Sequence, residues 1–219
     1  MYLSKMPDIV KPVANNLLWS MPRDQKKVYL TFDDGPIPEV TPWVLDQLDT
    51  FDAKATFFMV GDNAQRNKEL VNSVTSKGHS IGNHTHNHIN GWKTPTYSYC
   101  KNALQATNYI NSPLFRPPYG RFTRQQSKAL RNRFTVVMWD VLSGDFDQQI
   151  DGEKCYQNVV ENVENGSIIV FHDSKKAYPN LKYALPKTLA YLSEAGYECA
   201  ALPQLFWNPA STSLAEQLV

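Results

Sequence analysis

Short apolar runs alternate with longer amphipathic segments along most of the chain. The apolar runs are rich in β-branched and aromatic residues, as buried strands are. They occupy seven stretches: residues 28–32, 55–60, 79–82, 114–116, 135–140, 167–171 and 197–202. The segments between them have apolar residues at helical spacing, and they cover residues 40–51, 64–76, 96–110, 123–133, 153–163 and 181–195. This alternation predicts an α/β fold with a parallel sheet of seven strands, which could close into a barrel or stay open.

The domain organisation follows from the absence of any linker, repeat or low-complexity tract in the 219 residues. That length suits one domain with a sizeable core. We expect this domain to span residues 27–203, with residues 1–26 as an N-terminal extension and residues 204–219 as a C-terminal tail. The three cysteines are far apart and odd in number, which favours reduced thiols over a disulfide framework.

Composition narrows the expected environment and partners. The net charge of +1 gives no overall field that would favour nucleic acid or anionic lipid. No segment approaches the roughly 20 apolar residues of a membrane helix, and no basic stretch followed by a long apolar run marks an export signal. We therefore expect a cytoplasmic protein that neither binds nucleic acid nor inserts into membranes. These features leave its oligomeric state open.

Four of the five histidines lie close together, between His79 and His88. Three of them, His84, His86 and His88, fall within five residues. A helical turn would place His84 and His88 on one face, whereas an extended strand would pair His86 with one of its neighbours. Three imidazoles at this spacing favour a metal site, and the spacing alone does not choose between the pairs.

An adjacent carboxylate pair, Asp33 and Asp34, ends the first predicted strand in an Asp-Asp-Gly-Pro segment. By itself such a segment is typical of a turn. Beside a histidine cluster, one carboxylate can complete a His-His-Asp metal site while its neighbour faces a bound water. This division is possible because adjacent side chains leave a strand in different directions. The combination predicts a metal-dependent hydrolase with water as the nucleophile.

Further polar residues follow the ends of other predicted strands. Arg116 begins a stiff Arg-Pro-Pro segment and would hold its guanidinium against a carboxylate, fixing the direction of that carboxylate. Asp145 follows the fifth strand and His172 follows the sixth. A strand-end histidine that is paired with an acidic residue can serve as a general acid near neutral pH. Because parallel strands end at one rim, we expect these groups to converge there.

Five segments, taken in order, resemble the motifs of the polysaccharide deacetylase family, also called carbohydrate esterase family 4 or the NodB-homology domain. They are Thr-Phe-Asp-Asp-Gly at 31–35, His-Thr-His-Asn-His at 84–88, Arg-Pro-Pro-Tyr-Gly at 116–120, Asp-Phe at 145–146 and Val-Phe-His at 170–172. The resemblance implies a distorted (β/α)7 barrel with the active site at the C-terminal rim of its strands. It also implies hydrolysis of N-acetyl groups on N-acetylglucosamine-containing glycans of the chitooligosaccharide or peptidoglycan type.

The resemblance further implies roles for individual residues. Asp34, His84 and His88 would be the ligands of one divalent metal ion. Zn²⁺ is the default ion for two histidines and a carboxylate, and Co²⁺, Ni²⁺ or Mn²⁺ would suit the same ligands. Asp33 would be the general base, and His172 the general acid that protonates the departing amine.

Supporting roles are also implied by the resemblance. Arg116 would orient the base, Asp145 would tune the acid, and the backbone N–H of Tyr119 would face the oxyanion. Three side chains would line the substrate pocket: Phe146, Val170 and Trp139. The family pattern usually has Trp in place of Phe146 and Leu in place of Val170. The acetyl pocket of this chain therefore departs from the family pattern more than its reacting groups do.

Other functions remain compatible with the same residues. An O-acetyl esterase acting on xylan-type polymers would depend less on His172, because an alkoxide leaves more easily than an amide nitrogen. Deacetylation of a small amide would keep the chemistry and change only the pocket. A catalytically silent glycan-binding protein is a further alternative, although the base, the metal ligands and the acid are all retained.

Overall fold

A parallel sheet is the framework of the computed structural model, which describes residues 3–6 and 17–205. Eight strands are present in this part: β1 (Lys27–Asp33), β2 (Ala55–Met59), β3 (Ser80–Asn83), β4 (Leu114–Phe115), β5 (Thr135–Val136), β6 (Val141–Leu142), β7 (Ile168–His172) and β8 (Glu198–Cys199). The order is β5-β4-β3-β2-β1-β7-β6, and β8 pairs with the start of β1. Every ladder between these strands is parallel, so the site-bearing strands end at one rim.

Seven α-helices cover the sheet in the described part of the chain: α1 (Thr41–Thr50), α2 (Gly61–Arg66), α3 (Lys68–Ser76), α4 (Thr96–Ala106), α5 (Arg124–Leu130), α6 (Gly152–Val160) and α7 (Tyr178–Glu194). The strand β2 is buried along its whole length and β7 along all but its last residue, as expected when helices cover a parallel sheet. The predicted single α/β domain with a parallel sheet is confirmed. The helix predicted at 64–76 is instead two helices, which meet at Asn67.

The prediction of one strand over residues 135–140 is wrong, because only the first two of these residues belong to a strand. Its first residues form β5, the next four cross the open side of the sheet, and β6 begins at Val141. Because only four residues join the two edges, the sheet must curl into a half-barrel until its edges face each other. Both edge strands are apolar, so the hydrophobic pattern does not reveal the change of edge.

The predicted N-terminal extension contributes to this closure. The Leu18 N–H donates to the Val136 carbonyl at 2.9 Å, and the Met138 N–H donates to the Leu18 carbonyl at 2.7 Å. Leu18, Trp19 and Met21 are all buried in the core. Residues 1, 2 and 7–16 of the extension lie outside the described residues, as does the predicted tail from residue 206 onward.

The environment of the cysteines agrees with the sequence. Cys100, Cys155 and Cys199 are free thiols, as predicted.

Within the described ranges, no helix combines the length and the apolar composition that crossing a bilayer requires.

Candidate metal-dependent active site

The predicted site residues converge at the C-terminal rim of the sheet. Asp33 and His172 are the last residues of β1 and β7, and they are register partners in the ladder between these strands. His84 directly follows β3 and Arg116 directly follows β4. Asp145 lies three residues beyond the end of β6. Five strands thus bring together groups that are far apart in the sequence.

Three of these groups form a candidate metal centre. One ligand atom from each of Asp34, His84 and His88 lies within 4.8 Å of the others. The Oδ1 atom of Asp34 is 3.1 Å from His88 Nε2 and 3.9 Å from His84 Nε2. This oxygen is buried, yet it accepts no hydrogen bond of acceptable geometry from the described residues. A buried oxygen faced by two imidazole nitrogens suits a divalent cation, so the donor set fits a metal.

The protonation state of His84 also suits a ligand. Its Nδ1 lies 2.7 Å from the Arg116 carbonyl oxygen. A carbonyl can only accept, so Nδ1 carries the proton and Nε2 presents its lone pair toward Asp34. Burial lowers the pKa of His84 to about 4, which keeps the ring neutral at physiological pH.

The carboxyl group of Asp34 is held in its ionised form. Burial alone would raise its pKa, but the close contact with His88 and the positive charge of His172 lower it well below the ordinary value. A metal site requires its carboxylate ligand to be deprotonated. The electrostatics of Asp34 therefore agree with the geometry of the donor set.

The histidine segment is neither a helix nor a strand. It is a loop in which Thr85 and His88 adopt left-handed backbone angles, with φ of 62° and 52°. The loop is fixed by the Asn83 side chain, which accepts from the Thr85 N–H at 2.9 Å. These angles turn His88 back toward the metal centre. His86 is buried and stacks on Tyr109 with 5.8 Å between ring centroids, so it is separate from the ligand group.

Backbone strain is concentrated at this site. Only five non-glycine residues in the described chain have a positive φ, and four of them belong to the site segments: Asp34, Thr85, His88 and Tyr119. Residues other than glycine enter this region at a cost, typically of order 1–3 kcal/mol. The surrounding hydrogen bonds hold the backbone in these conformations and thereby orient the candidate ligands.

The candidate base is held by a buried ion pair. Asp33 Oδ1 accepts from Arg116 Nη1 at 2.8 Å, and both side chains are buried. The same Nη1 donates to Thr31 Oγ1 at 2.7 Å, and the guanidinium lies 4.1 Å above the Phe58 ring. Arg116 thus fixes Oδ1 and leaves Oδ2 of Asp33 on the side of His84, at 4.0 Å from its Nε2.

The candidate acid is held by a second carboxylate. Asp145 Oδ2 accepts from the His172 N–H at 2.7 Å, and Oδ1 lies 2.8 Å from His172 Nδ1. Burial alone would lower the pKa of His172, but the Asp145 carboxylate outweighs it and raises the pKa to about 9. The imidazolium is therefore stable at neutral pH, with Nε2–H available as a proton donor.

The Tyr119 backbone has the features of an oxyanion donor. Its φ of 61° and ψ of 8° lie in the left-handed region, and its N–H donates to no other group in the part of the chain that the structure describes. The Tyr119 ring is exposed and packs edge-on against His88, with 4.8 Å between ring centroids. The Tyr119 ring therefore borders the candidate metal centre.

The three predicted pocket residues have different surroundings. Phe146 packs edge-on against the His172 ring at 5.1 Å. Val170 is buried in β7, two residues before His172 and therefore on the same face of the strand. Trp139 is half-buried, and its ring lies 5.8 Å from the Arg116 guanidinium. Phe146 and Val170 are thus both next to the candidate acid.

Asp173 is a site-supporting residue that the sequence analysis did not single out. Its Oδ1 accepts from the Gly35 N–H at 3.0 Å, and its Oδ2 accepts from Thr41 Oγ1 at 2.6 Å. Burial raises the pKa of Asp173 to about 8, although both hydrogen bonds oppose this shift. The residue ties the turn after Asp34 to the strand end that carries His172. In the sequence, only its position directly after His172 could have identified Asp173 as part of the site.

This contact gives a testable role to Gly35. A Cβ at this position would lie 1.9 Å from Asp173 Oδ2 and 2.5 Å from its Cγ. We expect Gly35→Ala to lower the free energy of unfolding by about 1–3 kcal/mol, as overpacking does, and to weaken metal binding. Chemical denaturation and a metal titration would measure both effects. In the Asp173→Ala background, Gly35→Ala should lower the free energy of unfolding by a smaller amount. An equal cost in both backgrounds would show that the two residues do not interact as described.

Comparison with known proteins agrees with this geometry. The sequence profile described as polysaccharide deacetylase matches residues 20–135. A peptidoglycan N-acetylglucosamine deacetylase of Bacillus cereus is 34% identical over 194 residues, covering 85% of this chain and 91% of the relative. A chitooligosaccharide deacetylase of Azorhizobium caulinodans is 30% identical over 161 residues. This alignment covers 69% of the present chain and 75% of the relative.

A solved structure shows the same similarity in three dimensions. The peptidoglycan N-acetylglucosamine deacetylase Bc1960, solved in complex with a hydroxamate-type benzamide, superposes with a TM-score of 0.82 and 30% identity. The match covers 92% of this chain and 97% of that one. Sequence, fold and site geometry together establish that the chain belongs to the polysaccharide deacetylase family.

Proposed function

We propose that this protein hydrolyses N-acetyl groups on N-acetylglucosamine-containing glycans of the chitooligosaccharide or peptidoglycan type and releases acetate. One observation carries the proposal: the carboxylate of Asp33 and the imidazole of His172 occupy paired positions beside the three-residue metal centre. Hydrolysis of an amide needs a base for the water and an acid for the departing amine. The names of the relatives at 34% and 30% identity support N-acetylglucosamine glycans as the substrate class.

The metal in this proposal is one divalent ion, Zn²⁺ by the choice of ligands, held by Asp34, His84 and His88. When bound, such an ion polarises the acetyl carbonyl and lowers the pKa of a water. The hydrogen bond from His84 Nδ1 to the Arg116 carbonyl fixes the ring that would present Nε2 to it.

Proton transfers in the proposed reaction use atoms that the structure leaves available. Asp33 Oδ2 takes the proton of the attacking water, because Arg116 occupies Oδ1. The Tyr119 N–H donates to the oxyanion, and one such donor is typically worth about 2.7–4 kcal/mol. His172 Nε2 then gives its proton to the amine, while Asp145 holds Nδ1.

The remaining assignments follow from this arrangement. We place the reaction in a domain of residues 27–203, onto which residues 17–21 pack. Phe146, Val170 and Trp139 would line the pocket for the acetyl methyl group; the first two flank His172.

An acetate-release assay tests the proposal. Chitooligosaccharides, peptidoglycan fragments and acetylated xylan would be offered to the protein before and after chelation. We expect acetate from the first two substrates, at least about a hundredfold loss after chelation, and recovery when Zn²⁺ is added. A fully metallated protein that releases no acetate from either amide substrate would refute the proposal. Release from xylan alone would support the ester alternative.

A further inference from the structure

The positive charge of the chain is concentrated in one continuous stretch. Residues 70–139 contain nine of the 22 Lys and Arg residues and none of the 21 Asp and Glu residues. The net charge of +1 therefore conceals a basic segment and an acidic remainder. In the fold this segment supplies β3, β4 and β5, which lie together at one edge of the sheet. It also supplies α4 and α5, which pack on each other.

Most of this charge is not neutralised. Arg116 pairs with Asp33, and Lys77 pairs with Asp49. The other seven cations are exposed, and none of them forms a salt bridge with a described residue. We call these seven residues the basic edge. They are Lys93, Lys101, Arg121, Arg124, Lys128, Arg131 and Arg133. By contrast, six Lys and Arg residues elsewhere in the described chain have carboxylate partners. This segment therefore carries uncompensated positive charge, which is complementary to an anionic partner.

The basic edge begins at the mouth of the candidate active site. The ring of Tyr119 contacts His88, and Arg121 follows Tyr119 by two residues. The Arg121 guanidinium lies 5.1 Å from the centroid of the Trp92 ring. Trp92 itself is 65% exposed, which is unusual for so large an aromatic side chain. An exposed aromatic ring packed against a cation therefore lies on the segment that follows the candidate ligand His88.

This surface is rigidly attached to the barrel. Trp92 Nε1 donates to the Phe122 carbonyl at 3.2 Å, and the Gly91 N–H donates to the Arg121 carbonyl at 3.0 Å. Gln126 Nε2 donates to the Gly91 carbonyl at 2.9 Å and so ties the start of α5 to the same segment. A surface that is held in place before binding loses little conformational freedom when a ligand arrives.

We infer that Trp92 and the basic edge bind an acidic glycan strand, one whose carboxylate groups lie on sugars next to the N-acetylglucosamine unit at the metal centre. The inference rests on the proposed function. The exposed face of Trp92 suits the C–H face of a pyranose ring. Arg124, at the start of α5, and Arg121, three residues before it, would pair with carboxylates of the same glycan. Continuity with the candidate site selects a glycan substrate over nucleic acid or an anionic membrane.

Two polymers with one backbone separate this inference from the proposed function. Glycol chitin is neutral, whereas carboxymethyl chitin carries carboxylates on the same N-acetylglucosamine chain. We expect wild-type protein to have the higher kcat/KM on carboxymethyl chitin, and this preference should decline as salt screens the charges. Arg121→Gln with Arg124→Gln should reduce the ratio of the two kcat/KM values by about fivefold to tenfold. Trp92→Ala should raise KM for both polymers.

A matched control has the same change in net charge. Lys154→Gln with Lys182→Gln removes two exposed cations from α6 and α7, outside the basic edge. This control should leave the ratio of the two kcat/KM values at the wild-type value. If both double variants change the ratio equally, only net charge matters and the inference is wrong.

A binding assay gives a readout that does not depend on activity. Native gels containing either polymer would measure retardation of the wild type and of both double variants. We expect the carboxymethyl gel to retard wild type and control more than the Arg121 and Arg124 variant. Equal retardation of all three, or tighter binding to duplex DNA or phosphatidylglycerol vesicles than to carboxymethyl chitin, would overturn the inference. Failure of acetate release with selective retardation would instead refute only the proposed function.

Discussion

Asp33→Asn should reduce kcat for acetate release by about a hundredfold to ten-thousandfold, the usual contribution of a general base, while metal binding is retained. Asparagine keeps the shape of the side chain, and its carbonyl oxygen can still accept from Arg116 Nη1, which lies 2.8 Å from Asp33 Oδ1. What the variant lacks is the free carboxylate oxygen Oδ2, the atom that would take the proton of the attacking water.

The neighbouring carboxylate provides the matched control for this prediction. Asp34→Asn makes the same chemical change one residue later, at the buried oxygen that faces His84 and His88. We expect this variant to lose both activity and bound metal, which elemental analysis would measure. The two roles would be wrongly assigned if Asp33→Asn lost its metal as readily as Asp34→Asn, or if it kept the wild-type kcat.

Much of the fold could be predicted from the sequence, because hydrophobic residues are spaced differently in buried parallel strands and in amphipathic helices. The ends of β1, β3, β4 and β7 were predictable to within one residue for the same reason. These ends placed Asp33, His84, Arg116 and His172 at one rim. The end of β5 at Val136 and the crossing to β6 at Val141 were not predictable. Both strands are only two residues long, and their separation depends on the curl of the whole sheet.

The site geometry was less accessible from the sequence than the identity of its residues. The spacing of His84 and His88 is compatible with a helical turn, yet a loop with left-handed residues brings them together. Such backbone angles depend on tertiary hydrogen bonds, including the one from the Gly61 N–H to the Thr85 carbonyl. The role of Asp173 was hidden for a similar reason: its partners, Gly35 and Thr41, are more than 130 residues away in the chain.

The buried pair of Arg116 and Asp33 links the closure of the barrel to the chemistry of the site. Besides Asp33, the guanidinium donates to the Met138 carbonyl at 2.9 Å and to the Val137 carbonyl at 3.3 Å. These carbonyls belong to the segment that crosses from β5 to β6. One fully buried side chain therefore orients the candidate base and holds the start of the crossing segment in place.

Arg116→Met should consequently have the largest effect on stability, lowering the free energy of unfolding by about 3–5 kcal/mol. Methionine fills similar space, but it leaves the Asp33 carboxylate buried without its counter-charge and leaves two carbonyls without a donor. Urea denaturation followed by circular dichroism would measure the change. Arg116→Lys should be intermediate, because an ammonium keeps the charge but cannot reproduce the planar fork that reaches Asp33 and the Met138 carbonyl together.

A double-mutant cycle separates the ion pair from the loss of packing. Once Asp33 is asparagine, no buried negative charge remains to be left unpaired, so Arg116→Met should cost less than it does in the wild type. We expect a coupling of about 1–3 kcal/mol between the two positions. If the two substitutions lower the free energy of unfolding independently, Arg116 stabilises the barrel through the crossing segment alone. Its contact with Asp33 would then serve only to direct the carboxylate toward the metal centre.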